Sequence, residues 1–161
     1  MKYIIKILFT SILIIQIAHC SLFIDNCKAD WVQTNGPFGG DIRSFAVSGT
    51  NLFAGTFVNG VFQSTNNGTS WNAMNIGLTN TSVWSLAVSG TNLFAGTYDG
   101  GVFLSTNNGT SWTAVNNGLT YTEVLSLAVS GTNLFAGTYG GGVFLSTNIV
   151  SAYDKRHDNL T

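Results

Sequence analysis

One block of sequence occurs three times at a fixed interval, and this constrains the chain more than any other feature. SFAVSGTNLFAGT at Ser44–Thr56 returns as SLAVSGTNLFAGT at Ser85–Thr97 and again, identical to the second copy, at Ser126–Thr138. The step from Ser44 to Ser85 equals the step from Ser85 to Ser126. GVFQSTNNGTSW at Gly60–Trp71 returns as GVFLSTNNGTSW at Gly101–Trp112, and GVFLSTN follows at Gly142–Asn148. Asn-x-Gly-Leu-Thr closes two of the units, at Asn75–Thr79 and Asn116–Thr120. A fixed period signals stacked copies of one supersecondary unit, none of which can bury its apolar face alone.

Each unit reads as four short strands. In the second copy these are Val83–Val88, Leu93–Thr97, Val102–Ser105 and Ser111–Val115. They are separated by turns at Ser89-Gly90-Thr91-Asn92, Asp99-Gly100-Gly101 and Thr106-Asn107-Asn108-Gly109-Thr110. Val, Leu, Phe, Thr and Trp fill the runs, and Asn-Gly or Gly-Gly punctuates them at hairpin spacing. No segment of the array carries a helical apolar period. Four strands in about 40–45 residues is the size of a propeller blade, and the step between copies falls in that range; solenoid units of about 20–29 residues are too short. The expected fold class is all-β, an incomplete β-propeller of about three four-stranded blades.

Composition narrows the role. Six Lys and Arg stand against seven Asp and Glu, only 8% of the 161 residues, with 12% aromatic residues. Disordered chains are charge-rich and poor in aromatics, so disorder is excluded. A net charge of −1 excludes nucleic-acid binding through phosphate neutralisation.

The first twenty residues differ from the array. Lys2 and Lys6 precede an apolar run from Ile7 to Ala18, too short for a span of about 20 residues and suited to a secretory signal peptide. Ala18 and Cys20 supply small residues for cleavage before Ser21. Two alternatives stay open: lipidation at Cys20, against which His19 counts, and an uncleaved anchor. Either way the chain is expected to be exported, to the periplasm, the cell surface or the medium, with no membrane contact beyond the leader. Cys27 is the only other cysteine. It is left as a lone thiol if cleavage follows Cys20, or able to pair with Cys20 if cleavage precedes it. The organisation expected is signal peptide 1–20, linker 21–29, repeats 30–148 and a divergent tail 149–161.

Ser64-Thr-Asn66-Asn-Gly68-Thr-Ser70-Trp71 and Ser105-Thr-Asn107-Asn-Gly109-Thr-Ser111-Trp112 resemble the Asp-box, or BNR repeat, Ser-x-Asp-x-Gly-x-Thr-Trp. Asn66 and Asn107 stand where the family has Asp, Ser70 and Ser111 where it usually has Thr, and Ser146-Thr147-Asn148 begins a third box that is not completed. The resemblance covers roughly residues 30–148. It implies a propeller in which each box closes the hairpin between the third and fourth strands of a blade, with the Trp in the core between blades. The family includes sialidases, xyloglucan-active glycosidases, sortilin-type receptors and photosystem assembly factors, and its box is a folding staple placed away from the active centre. A fold shared by many activities transfers none of them. The box residues are therefore read as structural. Asn-Asn-Gly-Thr is oxygen-rich but lacks the carboxylates a hard cation wants, so neither metal nor cofactor is expected.

The sialidases of that family use an arginine cluster, a Tyr–Glu pair and an acid. Between Ser44 and Asn148 the only charged residues are Asp99 and Glu123. A two-carboxylate glycosidase would need these two about 5–9.5 Å apart, which requires their loops to emerge on one face. The two histidines, His19 and His157, lie in leader and tail, and no metal spacing, phosphate loop or triad occurs. Catalysis is not expected. A binding module needs less. Tyr98, Tyr121 and Tyr139, with Asn80, Asn117 and an exposed Trp84, are candidates for contacting an extracellular protein or glycan, set against the plainer reading that Tyr98 and Tyr139 cap strand ends.

The array holds fewer than three full units, whereas propellers close with about 4–8 blades. Trp31-Val32-Gln33 resembles the fourth strand of a blade, and the tail gathers Asp154, Lys155, Arg156 and Asp158 in a run unlike any repeat. The simplest expectation is a truncated or frame-disrupted product of a longer secreted protein. The second is a short protein whose open blade edges associate with one another. The expected role is thus a non-catalytic extracellular binding or structural module. Its alternative is the N-terminal part of a secreted glycoside hydrolase with its catalytic residues on further blades.

Overall fold

A computed structural model describes residues 31–37, 40–147 and 149. The expected leader, linker and most of the tail, with Cys20, Cys27 and Asn148, fall outside the described residues. The chain divides into two units, Met1–Gln33 and Thr34–Thr161; of the first, Trp31, Val32 and Gln33 are described, all exposed.

The remainder is all β, in three antiparallel sheets. Blade 1 comprises β1 (Ile42–Ser48), β2 (Asn51–Thr56), β3 (Gly60–Ser64) and β4 (Asn72–Ala73). Blade 2 repeats it with β5 (Val83–Ser89), β6 (Asn92–Thr97), β7 (Gly101–Ser105) and β8 (Thr113–Ala114). Blade 3 has three strands among the described residues, β9 (Val124–Ser130), β10 (Asn133–Thr138) and β11 (Gly142–Ser146). Within each blade the strands pair in chain order. Among the described residues the three sheets do not close into a ring.

Local chemistry sets each hairpin. Ser48 pairs with Asn51 across a tight loop whose first residue, Gly49, has φ +59°. That is what a type II′ turn demands, and its twist matches that of the strands. The first strand of each blade is irregular where it starts, the register slipping between Ile42 and Ser44 and between Val83 and Ser85.

The blades are held together by two apolar cores, one on each side of blade 2. Side chains alternate across a strand, so β6 feeds both. Leu93 and Ala95 enter the core shared with blade 1, beside Phe53, Val61, Leu86, Phe103 and Trp112. Phe94 and Val102 enter the other, beside Val124, Leu134 and Ala136 of blade 3. Every residue of β6 is buried as a result. The first strands β1, β5 and β9 lie next to one another, and β2 and β6 pack against the first strand of the following blade.

The outer faces lack that cover. Phe45 and Val47 of β1 are 58% and 63% exposed, whereas Leu86, at Phe45's place in blade 2, is 8% exposed. On blade 3, Val143 is 72% exposed where its counterpart Val102 is 4%.

Candidate functional site

Two ends of the blades can be distinguished. The amides of Phe57, Tyr98 and Tyr139, just past the second strands, donate to the carbonyls of Asp41, Ser82 and Glu123, just before the first strands, at 3.0, 2.9 and 2.9 Å. The turns after second strands and the leads into first strands therefore share one end. The II′ hairpins and the Ser-Thr-Asn-Asn-Gly turns lie at the other.

At the second end the two turns repeat each other bond for bond. Ser64 Oγ accepts from the Gly68 amide at 2.8 Å and donates to Asn66 Oδ1 at 3.0 Å. Asn66 Oδ1 accepts from the Ser70 amide at 2.9 Å, and its Nδ2 donates to Ser70 Oγ at 2.9 Å. Ser105, Asn107, Gly109 and Ser111 repeat every one of these contacts. Asn67 and Asn108 hold φ +54°, a region asparagine tolerates. The amide group matters here: an aspartate could only accept from the serine hydroxyl, whereas asparagine donates to it. The turn is thereby closed with no charge. Ser146 ends β11 exposed, and Asn148 is outside the described residues.

The tryptophans after these turns differ. Trp112 is 4% exposed, its Nε1 donates to the Met74 carbonyl at 2.7 Å, and its amide donates to the Ile76 carbonyl at 2.9 Å. Blade 2 is thus stapled onto blade 1. Trp71 is half-buried, and its Nε1 has no partner among the described residues.

The Asn-x-Gly-Leu-Thr segments supply a staple that residue-by-residue reading missed. Asn75 Oδ1 accepts from the Val61 amide at 2.8 Å and its Nδ2 donates to the Asn59 carbonyl at 2.9 Å. Asn116 does the same to Val102 and to the Gly100 carbonyl, at 2.7 and 2.8 Å. The recurrence of that asparagine in sequence was the signal; its bonds to a turn well back along the chain were not visible there.

The first end carries the titratable chemistry. All four charged side chains among the described residues, Asp41, Arg43, Asp99 and Glu123, belong to it, and so do Tyr98, Tyr121 and Tyr139. Arg43 lies 3.5 Å from Asp41, and its guanidinium carbon is 5.0 Å from the ring centres of both Phe57 and Trp84. Trp84 stacks on Tyr98 at 5.7 Å and meets Phe57 edge-on at 6.0 Å. Trp84 is consequently half-buried rather than exposed, its ring faces taken by Arg43 and Tyr98. Tyr139 is 68% exposed, and Tyr121 packs on Phe144 at 6.2 Å. Asp99 and Glu123, whose loops had to share a face to act on one ligand, do lie at one end, where the Tyr98 and Tyr139 amides bond back to Ser82 and Glu123, and both carboxylates act on the Tyr98 phenol.

That contact holds the Tyr98 phenol above its ordinary value of 10.0, first through the hydrogen bond to Glu123, then through the carboxylate's charge, with desolvation, Asp99 and Tyr139 adding to it. The interaction favours the neutral phenol, so its contribution is present below the ordinary value and is lost as pH rises through the raised one. Glu123→Gln removes the charge and is expected to lower the Tyr98 midpoint toward 10.0, read from the ring carbon shifts of labelled tyrosine through an alkaline titration. An unchanged midpoint refutes the pairing. Among the described residues no three of His, Cys, Asp and Glu cluster as metal ligands would.

No family model matches the sequence, and no curated protein matches it either. Solved structures do. An ancestral GH74 enzyme is similar at 26% identity and TM-score 0.56 over 68% of this chain. YCF48 from Cyanidioschyzon merolae is similar at 18% identity and TM-score 0.59 over 74%. A structure of YCF48 bound to D1 peptide is similar at TM-score 0.51. The extracellular domain of BT4673 from B. thetaiotaomicron is similar at 20% identity and TM-score 0.56 over 72%. All are β-propellers, and the likeness fixes the fold. This chain spans 17%, 38% and 16% of the GH74, YCF48 and BT4673 chains.

Proposed function

We propose that this chain is an exported, non-catalytic β-propeller module of the Asp-box type that binds an extracellular glycan or protein segment at the end bearing Tyr98, Tyr121 and Tyr139. The observation that carries this reading is the segregation of side chains. One end is closed by uncharged hydrogen-bonded turns, while the described charges and tyrosines gather at the other. Exposed tyrosines offer ring faces and hydroxyls together, and Glu123 and Asp99 add acceptors beside them. The complex of YCF48 with D1 peptide supports a protein ligand by analogy of fold. The leader Lys2–Ala18 supports export.

Glycan and peptide arrays probed with the purified chain test this and separate the two ligand classes. Tyr98→Ala and Tyr121→Ala are each expected to weaken a hit about tenfold, the equivalent of about 1.4 kcal/mol. A hit untouched by either change, or no hit on either array, counts against the site. A second reading is favoured by the likeness to a GH74 enzyme: part of a glycoside hydrolase with its catalytic residues on further blades. Release of reducing ends from an array glycan would select it.

A further inference from the structure

Each first strand takes in one extra residue near its start. Ile42 and Ser44 pair with Thr56 and Gly55, Val83 and Ser85 with Thr97 and Gly96, and Val124 and Ser126 with Thr138 and Gly137. Arg43, Trp84 and Leu125 are the residues left over. An extra residue of this kind is a bulge, which re-aims its side chain out of the regular alternation. In blades 1 and 2 the bulge delivers a planar group to the end that bears the tyrosines. The Arg43 guanidinium lies 3.5 Å from Asp41 and 5.0 Å from the ring centres of Phe57 and Trp84. The Trp84 indole follows it, edge-on to Phe57 and stacked on Tyr98.

Blade 3 keeps the surroundings and changes the bulged residue. Glu123 takes Asp41's place in the repeat, and Tyr139 takes Phe57's. The same backbone bond joins each pair, from the Phe57 amide to the Asp41 carbonyl at 3.0 Å and from the Tyr139 amide to the Glu123 carbonyl at 2.9 Å. Tyr98 stands to Leu125 in the repeat as Phe57 stands to Trp84. Tyr98 and Tyr139 are both exposed, and the carboxylates of Glu123 and Asp99 act on the Tyr98 phenol. Here the bulge supplies a short branched chain, 37% exposed, where the two preceding blades supply a guanidinium and an indole. Blade 1 shows what an acid and a ring hold when set this way, namely a flat cation. A guanidinium stays charged, lies flat against an aromatic ring and matches a carboxylate with its N–H donors. A neutral sugar can stack on the rings but brings no charge to meet Asp99 and Glu123.

We propose that the bulge of blade 3 is a recognition site for an arginine side chain of an extracellular protein segment, seated over Leu125 between Tyr98 and Tyr139 with Glu123 as its carboxylate, as Arg43 is seated on Asp41 and Phe57. The proposal rests on the reading of the tyrosine-bearing end as a binding surface and gives that surface its ligand class.

Titration of the full chain with a short peptide carrying one arginine, followed by NMR of labelled tyrosine, reads the site directly. The Tyr98 and Tyr139 ring signals are expected to shift together. The same peptide with citrulline, which keeps the shape and loses the charge, should bind about tenfold or more weakly. Glu123→Gln should weaken the arginine peptide about tenfold. Leu125→Arg puts the chain's own guanidinium in the place and should abolish binding, while circular dichroism shows the variant folded, since Leu125 is partly exposed. Equal binding of the arginine and citrulline peptides, or shifts that neither variant alters, overturn the proposal. Shifts that grow on Arg156→Gln do so too, and assign the place to the chain's own tail. A glycan that binds through Tyr98 while the arginine peptide does not overturns the guanidinium site alone. Silence of the peptide and of every array ligand removes the binding end with it.

Discussion

Trp112→Ala is expected to destabilise the fold by about 3–5 kcal/mol, the range for deleting a large buried aromatic. A domain of this size has about 5–15 kcal/mol in total, so the variant should sit near the edge of folding. Two losses combine. The ring is 4% exposed in the core it shares with Phe53, Val61, Leu93 and Phe103, so its removal leaves a cavity in that core. The Met74 carbonyl also loses the indole N–H, and an orphaned buried acceptor costs about 1–3 kcal/mol. Trp71→Ala is the internal comparison. Trp71 is half-buried and its Nε1 has no partner among the described residues, so its replacement should cost about half as much. Urea unfolding of the two variants in parallel reads the difference. Equal costs would mean that Trp112 is not the staple between blades.

Gly77→Ala and Gly118→Ala form the second comparison, because the two glycines share a backbone conformation and differ in what faces them. Both have φ +81°. An alanine there carries backbone strain of about 1–3 kcal/mol in either case. At Gly77 the new methyl group also falls on the main-chain carbonyl of Trp112, which cannot swing aside as a side chain would, adding about 1–3 kcal/mol of overpacking. At Gly118 no atom of the described residues lies within 4 Å of such a methyl group. Gly77→Ala should therefore be the more destabilising by about 1–3 kcal/mol. Equal unfolding midpoints would contradict the placement of Trp112 over Gly77.

The constant step between repeats, with strands around Val83, Leu93 and Val102, was enough to read a propeller, because turn chemistry and alternation are local properties. The fourth strands proved shorter than their pattern. Ser111–Val115 reads as a strand, yet the ladder with β7 begins only at Thr113, since the preceding serine and tryptophan are committed to the turn and to blade 1, while the Val115 amide still donates to the Val102 carbonyl at 2.9 Å. The side-chain partners were not legible. Asn75 and Asn116 look like any loop asparagine, and their role depends on a turn brought close only by the sheet. Trp84 reads as an exposed aromatic because its neighbours Arg43 and Tyr98 are remote from it along the chain, one in the preceding blade and one past the next strand. Asp99 and Glu123 came to one end for a reason visible only in three dimensions: successive antiparallel strands return the chain there twice per blade.

Ser85–Thr97 and Ser126–Thr138 are identical in sequence, and each folds into the first hairpin of its blade. Since the hairpins are interchangeable parts, unequal recombination between their coding segments adds or deletes one whole repeat and joins each hairpin to the context it already had. The inter-blade cores are built to accept such an exchange, because blade 2 meets blade 1 with one face and blade 3 with the other, and its repeat mates carry the same side chains at most core positions. Blade number in a lineage built on this unit can therefore drift in whole steps, with no new junction having to evolve at each step.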